Sequence, residues 1–205
     1  MHHRFKKLAG TLAAVALAAG LTMAGTGAAR ADVVPPANTW AEIFAPEINA
    51  NGITLCADNF GSSAQFQNLQ LWRCHGYASN GTPQRWQFTF VGKFLGIGVP
   101  EYQISNVGSG LCIGLDPNRV SANTVAGSNL LQESCSNSSF MTVWELVPAT
   151  DSPDPNNQFM LVNTWGALFH PQYAMEANTF LDQNGNRLIA ELESPANSAQ
   201  WYALG

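Results

Sequence analysis

Charge is scarce in this chain, and basic charge scarcer still. Asp, Glu, Lys and Arg make up 11% of the 205 residues, and only nine are Lys or Arg. Four of those nine, Arg4, Lys6, Lys7 and Arg30, lie within the first 31 residues, whereas all fourteen acidic residues lie beyond them. Residues 32–205 therefore hold five basic against fourteen acidic side chains, a formal charge of −9. Nucleic-acid binding needs a basic surface that releases counterions from phosphate, and adsorption to anionic lipid needs the same sign. Neither nucleic acid nor a membrane surface is an expected partner.

Signatures of catalysis are missing too. No G-x-S-x-G elbow and no H-E-x-x-H occurs. Beyond residue 31 only His75 and His170 remain, in unrelated contexts, and a metal would need further ligands that the sequence does not advertise. Glu191 and Glu193 alternate along an expected strand and share a face. A glycosidase pair usually faces across a cleft from different elements, so like charges on an exposed edge are the simpler reading. The expectation is a protein that is not an enzyme and holds no cofactor and no metal.

The one long apolar run, from Leu8 to Leu21, follows the basic residues and precedes Ala29-Arg30-Ala31. A basic region, an apolar region and an A-x-A site read as a signal peptide over residues 1–31 and as export. A membrane anchor is disfavoured because the run is short, Ala/Gly-rich and ends in a cleavable motif. Residues 32–39 are a Pro-rich lead-in, and 40–205 is long enough for one domain with a core.

Long stretches of helical period are absent. Short Val, Ile, Leu, Phe and Trp runs broken by NG, GS and PN clusters indicate an all-β domain with little or no helix. Cys56, Cys74, Cys112 and Cys135 form an even set in an exported chain, without the close C-x-x-C pairs of a zinc site. Of three connectivities, Cys56–Cys74 with Cys112–Cys135 is favoured because each pair brackets a similar stretch of chain.

Trp86, Trp144 and Trp201 recur at intervals of 58 and 57 residues, followed by "WQF", "WEL" and "WYAL". Cys56 precedes Cys74 by 18 residues, as Met175 precedes Glu193, and "YQISN" from Tyr102 is echoed by "FMLVN" from Phe159. Three self-similar units result, at about 40–98, 99–148 and 158–205. The three tryptophans are read as core, each ring buried and each indole N–H bonded.

The combination "CAD…LQLWRC…QRW" resembles one repeat of the ricin-type β-trefoil lectins, whose units end in Q-x-W. The resemblance covers roughly Trp40 to Gly205. It implies an all-β β-trefoil of three pseudo-symmetric repeats and twelve short strands, with up to one shallow sugar site per repeat. Carried over residue by residue, it assigns Asp58, Gln70, Trp72 and Gln84 to a site in repeat one. Pro83 departs from the asparagine usual before that glutamine. In repeat two, Gly114 stands at the aspartate position and Glu133 at the platform, with Met141-Thr142 at the polar pair and Asp116 two places late. In repeat three, Ala177, Glu191 and Ser198-Ala199 take these places. Repeat one is therefore the expected sugar site.

The chemistry suits a pyranose. A flat indole supplies dispersion to the C–H face, a carboxylate accepts from neighbouring hydroxyls, and an amide both donates and accepts. This gives Trp72, on the polar face of its strand, a reason to be there. The bland alternative packs Trp72 under the loop "HGYASNGTP" and makes Asp58 an ordinary turn residue. By the resemblance, the expected partner is a carbohydrate, galactose-type or polysaccharide, and the expected protein a secreted lectin-like one. The rival is a trefoil inhibitor or protein-interaction module presenting "NGTPQR" around Arg85. The sequons at Asn80 and Asn137 bear on neither reading.

Overall fold

Alternation sets the strands. In Trp86–Lys93, Trp86 and Phe88 are buried while Gln87 and Thr89 face water, the period-two pattern of a half-buried strand. The computed structural model describes residues 35, 39–46, 53–75, 82–93, 100–135, 140–148, 158–166, 172–178 and 185–205. The proposed signal segment, both sequon asparagines (Asn80 and Asn137), His170 and most of the "HGYASNGTP" loop lie outside these.

In chain order the strands are β1 Trp40–Ala41, β2 Ile43–Ala45, β3 Leu55–Asp58, β4 Gln70–Arg73, β5 Trp86–Lys93, β6 Pro100–Asn106 and β7 Cys112–Gly114. They continue as β8 Ser128–Asn129, β9 Leu131–Glu133, β10 Val143–Pro148, β11 Phe159–Asn163, β12 Tyr173–Ala177, β13 Asn186–Leu192 and β14 Ala203–Leu204. All pairings are antiparallel, and the main path runs β1-β5-β6-β10-β11-β12-β13-β4-β3-β2-β14. One helix, α1 Pro117–Ser121, interrupts repeat two.

Fourteen strands are described where the resemblance implies twelve, and the difference lies at two bends. Between β1 and β2 the chain turns at Glu42, leaving β5 for β3 and β14. Between β8 and β9 it turns at Leu130, leaving β13 for β7. Joined across these bends, the strands number twelve. The fold is a β-trefoil.

Both disulfides have the favoured connectivity, Cys56–Cys74 and Cys112–Cys135. Trp86 and Trp144 are fully buried, and their indole N–H groups donate at 2.9 Å to the carbonyls of Ala57 and Ile113. These two carbonyls each follow the first cysteine of a pair, so the core tryptophans of repeats one and two are held in the same way.

Repeat three corrects the sequence register. Tyr202, not Trp201, holds the third core place, fully buried in the main cluster. Trp201 packs instead against Met160, Val162 and Ala174, and its buried indole nitrogen has no partner. The aromatic spacing is therefore 58 and 58, and the motif reads Gln200-Trp201-Tyr202, with its glutamine in register. The partners of Gln84 and Gln200 fix this. Gln84 bonds the Arg73 carbonyl and the His75 amide, and Gln200 bonds the Leu192 carbonyl and the Ser194 amide. Ala174, not Met175, thus stands opposite Glu191 as Cys56 stands opposite Trp72.

Candidate functional site

Strand pairing assembles repeat one. In the β3–β4 register Asp58 lies opposite Gln70 and Cys56 opposite Trp72. The Cys56–Cys74 disulfide closes the same hairpin. Gln70 and Trp72, two residues apart, share the face that carries Asp58. Leu69 and Leu71 are fully buried on the other.

Asp58 is 4% exposed and its carboxylate is held from three sides. Oδ1 accepts from the Phe60 amide at 2.6 Å and from Gln70 Nε2 at 3.2 Å, and Oδ2 accepts from Gln84 Nε2 at 3.1 Å. Gln84, on the 3-10 turn Thr82–Gln84, has no exposed surface, and its amide is engaged at both ends. It stands behind the carboxylate and fixes its orientation. Gln70 differs: its Nε2 is engaged while its buried Oε1 has no partner. A buried carbonyl oxygen left unmatched is costly unless something arrives to donate to it.

In front of Asp58 is a hollow of about 270 Å³, lined by Asp58, Phe60, Gly61, Gln70, Trp72, His75 and Pro83. The volume lies near the small end of ligand cavities. Trp72 is half-buried, with its ring edge beside the turn of repeat three: a Cβ on Gly185 would lie 3.8 Å from Cζ3 and 3.7 Å from Gln70 Oε1. Gly185 has φ +89°, a left-handed conformation that glycine adopts without strain.

Of the residues read from sequence, Asp58, Gln70 and Trp72 meet at the hollow, and Gln84 backs it. His75, next to Cys74, is also on the lining. Phe60 was missed. Its ring is 56% exposed at the rim and its φ is +63°, a left-handed conformation that no hydrophobic pattern announces.

The other repeats are built differently. A Cβ at Gly114 would come within 2.9 Å of Glu133, so the glycine is where the Glu133 side chain packs. Glu133 is buried and accepts from Gln65. Asp116, the late acid of repeat two, caps α1 by accepting from the Asn118 amide at 2.9 Å. In repeat three the acidic position belongs to Glu176, not Ala177, and the pair before the aromatic is Ala199-Gln200, not Ser198-Ala199. Glu176 Oε2 accepts from Asn197 and Gln200 at 2.9 and 2.8 Å. Glu191, not an aromatic residue, occupies the platform place, opposite Ala174.

A separate acidic group sits across the sheet. Glu101 and Glu145 are directly opposed on β6 and β10, and both are buried. Burial raises Glu145 to about 7, and the charges of Glu101 and Glu193 push the same way. Burial also raises Glu101, against a hydrogen bond from Thr164, and raises Glu193. Glu193 is half-buried, not on the exposed edge expected for it.

Residues 82–167 match the family described as ricin-type beta-trefoil lectin domain-like. Of Asp58, Gln70, Trp72 and Gln84 only Gln84 falls inside that segment. No curated protein matches the chain. Among solved structures, the designed threefold-symmetric protein ThreeFoil is 20% identical, with a TM-score of 0.60 over 80% of this chain and 96% of its own. The Rhizoctonia solani agglutinin is 19% identical, with a TM-score of 0.58 over 85% of this chain and 98% of its own. The exo-beta-1,3-galactanase 1,3Gal43A of Clostridium thermocellum is 17% identical, with a TM-score of 0.59 over 83% of this chain and 31% of the enzyme. These likenesses establish the fold. The chain is a β-trefoil carrying a ricin-type lectin-like segment.

Proposed function

We propose that this chain is a secreted carbohydrate-binding protein whose sugar site is the repeat-one hollow. Trp72 is the platform for the C–H face of a pyranose, and Asp58 accepts from its hydroxyls. The unpartnered Gln70 Oε1 takes a further hydroxyl proton, and Gln84 and the Phe60 amide hold the carboxylate in place. The observation that carries this reading is the meeting of Asp58, Gln70 and Trp72 on one hollow. The lectin-like family match, the name of the Rhizoctonia agglutinin and the galactan-degrading neighbour point the same way. The two disulfides and the N-terminal segment support export.

Pro83 offers no side-chain hydrogen bond, so it is an apolar wall of the site. At about 0.3 kcal/mol per heavy atom, a single sugar of about a dozen atoms gains ~4 kcal/mol, a millimolar affinity. Useful binding needs a longer glycan or several copies of the target. The inhibitor reading gains nothing from Arg85. Its guanidinium lies 4.2 Å over the Trp40 ring, and its backbone bonds both Thr82 and Val107.

A glycan array and polysaccharide pull-down, run with wild type and Trp72→Ala, tests this function. Wild type is expected to retain a glycan that a folded Trp72→Ala loses. Absence of binding by both proteins overturns the sugar reading.

A further inference from the structure

We infer that the repeat-one site, if its reading as a sugar site holds, is built for a chain of at least two sugar units rather than a single terminal one. A second, polar hollow adjoins the first and takes the neighbouring unit.

This second hollow, of about 90 Å³, shares Gly61 and Pro83 with the Trp72 hollow, so the two are separated only by that low ridge. The ridge presents little that a sugar could hydrogen-bond: a glycine and a proline ring whose Cγ would lie 3.6 Å from a Cβ on Gly61. Beyond it the lining turns polar, with Ser62, Ser63, Thr82 and Ser109. Ser109 Oγ already donates to Gln132 Oε1 and accepts from the Leu111 amide, and Ser62 Oγ accepts from the Ala64 amide, so Ser63 and Thr82 carry the hydroxyls offered to a ligand. The hydrogen-bonding side chain absent at position 83 is thus matched by a hydroxyl-rich hollow one step further along. Hydroxyls both donate and accept, as sugar hydroxyls do.

The hollow is rigidly framed. Asn106 Nδ2 donates to the carbonyls of Thr82, Pro83 and Arg85, and its Oδ1 accepts from the amides of Gly108 and Ser109. These bonds tie the start of β5 to the turn after β6 and hold the opening in shape. Gly108 keeps it open. A Cβ there would meet Thr82 Cβ at 3.1 Å and Oγ1 at 3.2 Å. The hollow suits a few waters, or the hydroxylated edge of a ring whose body lies over the ridge.

Phe60 extends the same surface. Its exposed ring rims the first hollow on a left-handed backbone held by the bond from its amide to Asp58. The molecule therefore offers an aromatic stretch, an apolar ridge and a hydroxyl-lined end, in the order in which a linear glycan would cross them.

The test is an NMR titration of the purified protein with β-linked galacto-, gluco- and xylo-oligosaccharides of one to four units. In the series that binds, the two-unit sugar is expected to bind at least tenfold more tightly than its monosaccharide. Gly108→Ala is expected to cut that gain below threefold and leave the monosaccharide affinity unchanged. The double variant Ser63→Ala/Thr82→Val, which keeps Gly108, is expected to do the same, and decides the matter if Gly108→Ala unfolds. A two-unit sugar no tighter than its monosaccharide overturns the inference, as does a gain that survives in a folded Gly108→Ala and in the double variant. If wild type binds no member of any series, the repeat-one reading falls, and the inference with it.

Discussion

Gln84 donates from a position with no exposed surface to Asp58 Oδ2, 3.1 Å away, and so belongs to the scaffold of the site rather than to its lining. A residue whose type suggests hydroxyl recognition acts here one step back, by aiming the carboxylate. Gln200 repeats the arrangement on Glu176, in a unit that lacks the aromatic platform. The acid–glutamine pair is a structural element of this trefoil, and the tryptophan is what distinguishes repeat one.

Replacing Gln84 by Leu is therefore expected to damage both stability and binding. It removes the donor to Asp58 and leaves the His75 amide and the Arg73 carbonyl without their partner. Unsatisfied buried groups cost about 1–3 kcal/mol, which is roughly 2–10 °C in Tm for a domain of this size. Differential scanning calorimetry reads the first effect and glycan titration the second. Asp58→Asn turns one of two buried acceptor oxygens into a donor facing an N–H, and is expected to reduce both binding and Tm.

Tyr202 and Trp201 are expected to respond in the opposite order to that implied by tryptophan spacing. Tyr202→Ala empties a fully buried core place and is expected to cost ~3–5 kcal/mol. Trp201→Phe removes a buried N–H that has no partner, so its cost is expected to stay within about 1 kcal/mol. Urea unfolding of the two variants distinguishes this register from the other.

Burial of Glu145, reinforced by the charge of Glu101 opposite it, gives this carboxyl a contribution to stability that falls as pH rises. Glu145 titrates near 7 in the folded protein against an ordinary value of 4.5, so the fold favours its protonated form. The resulting stabilisation is full below about pH 4.5, falls as pH rises toward 7, and is lost beyond it. Raised values at Glu101 and Glu193 act in the same direction. Thermal melts are expected to give a higher Tm at pH 5 than at pH 8. Glu145→Gln is expected to flatten the difference. A Tm that rises steadily from pH 5 to pH 8 would contradict this.

Much of the architecture was legible in the sequence because it is written in residues with few alternative uses. The cysteine pairs, the tryptophans at Trp86 and Trp144, and the alternation around Leu69 and Leu71 all mark positions where burial permits little choice. Repeat three misled because Trp201 and Tyr202 are adjacent. Spacing cannot tell which ring turns inward, and the contacts of Gln200 can. Phe60 was invisible because a left-handed turn in "DNFG" leaves no periodic trace. The inward aim of Gln84 was hidden for another reason: an amide reads the same in sequence whether it meets a ligand or a neighbouring carboxylate.

The indole N–H resonances give the most direct test of the Trp72 platform. The chain has six tryptophans, and once they are assigned each reports its own surroundings. On titration with the glycan that the array selects, the largest shift is expected at Trp72, with Trp86 and Trp144 unmoved in the core. Shifts centred on another tryptophan, with Trp72 silent, would contradict the repeat-one site.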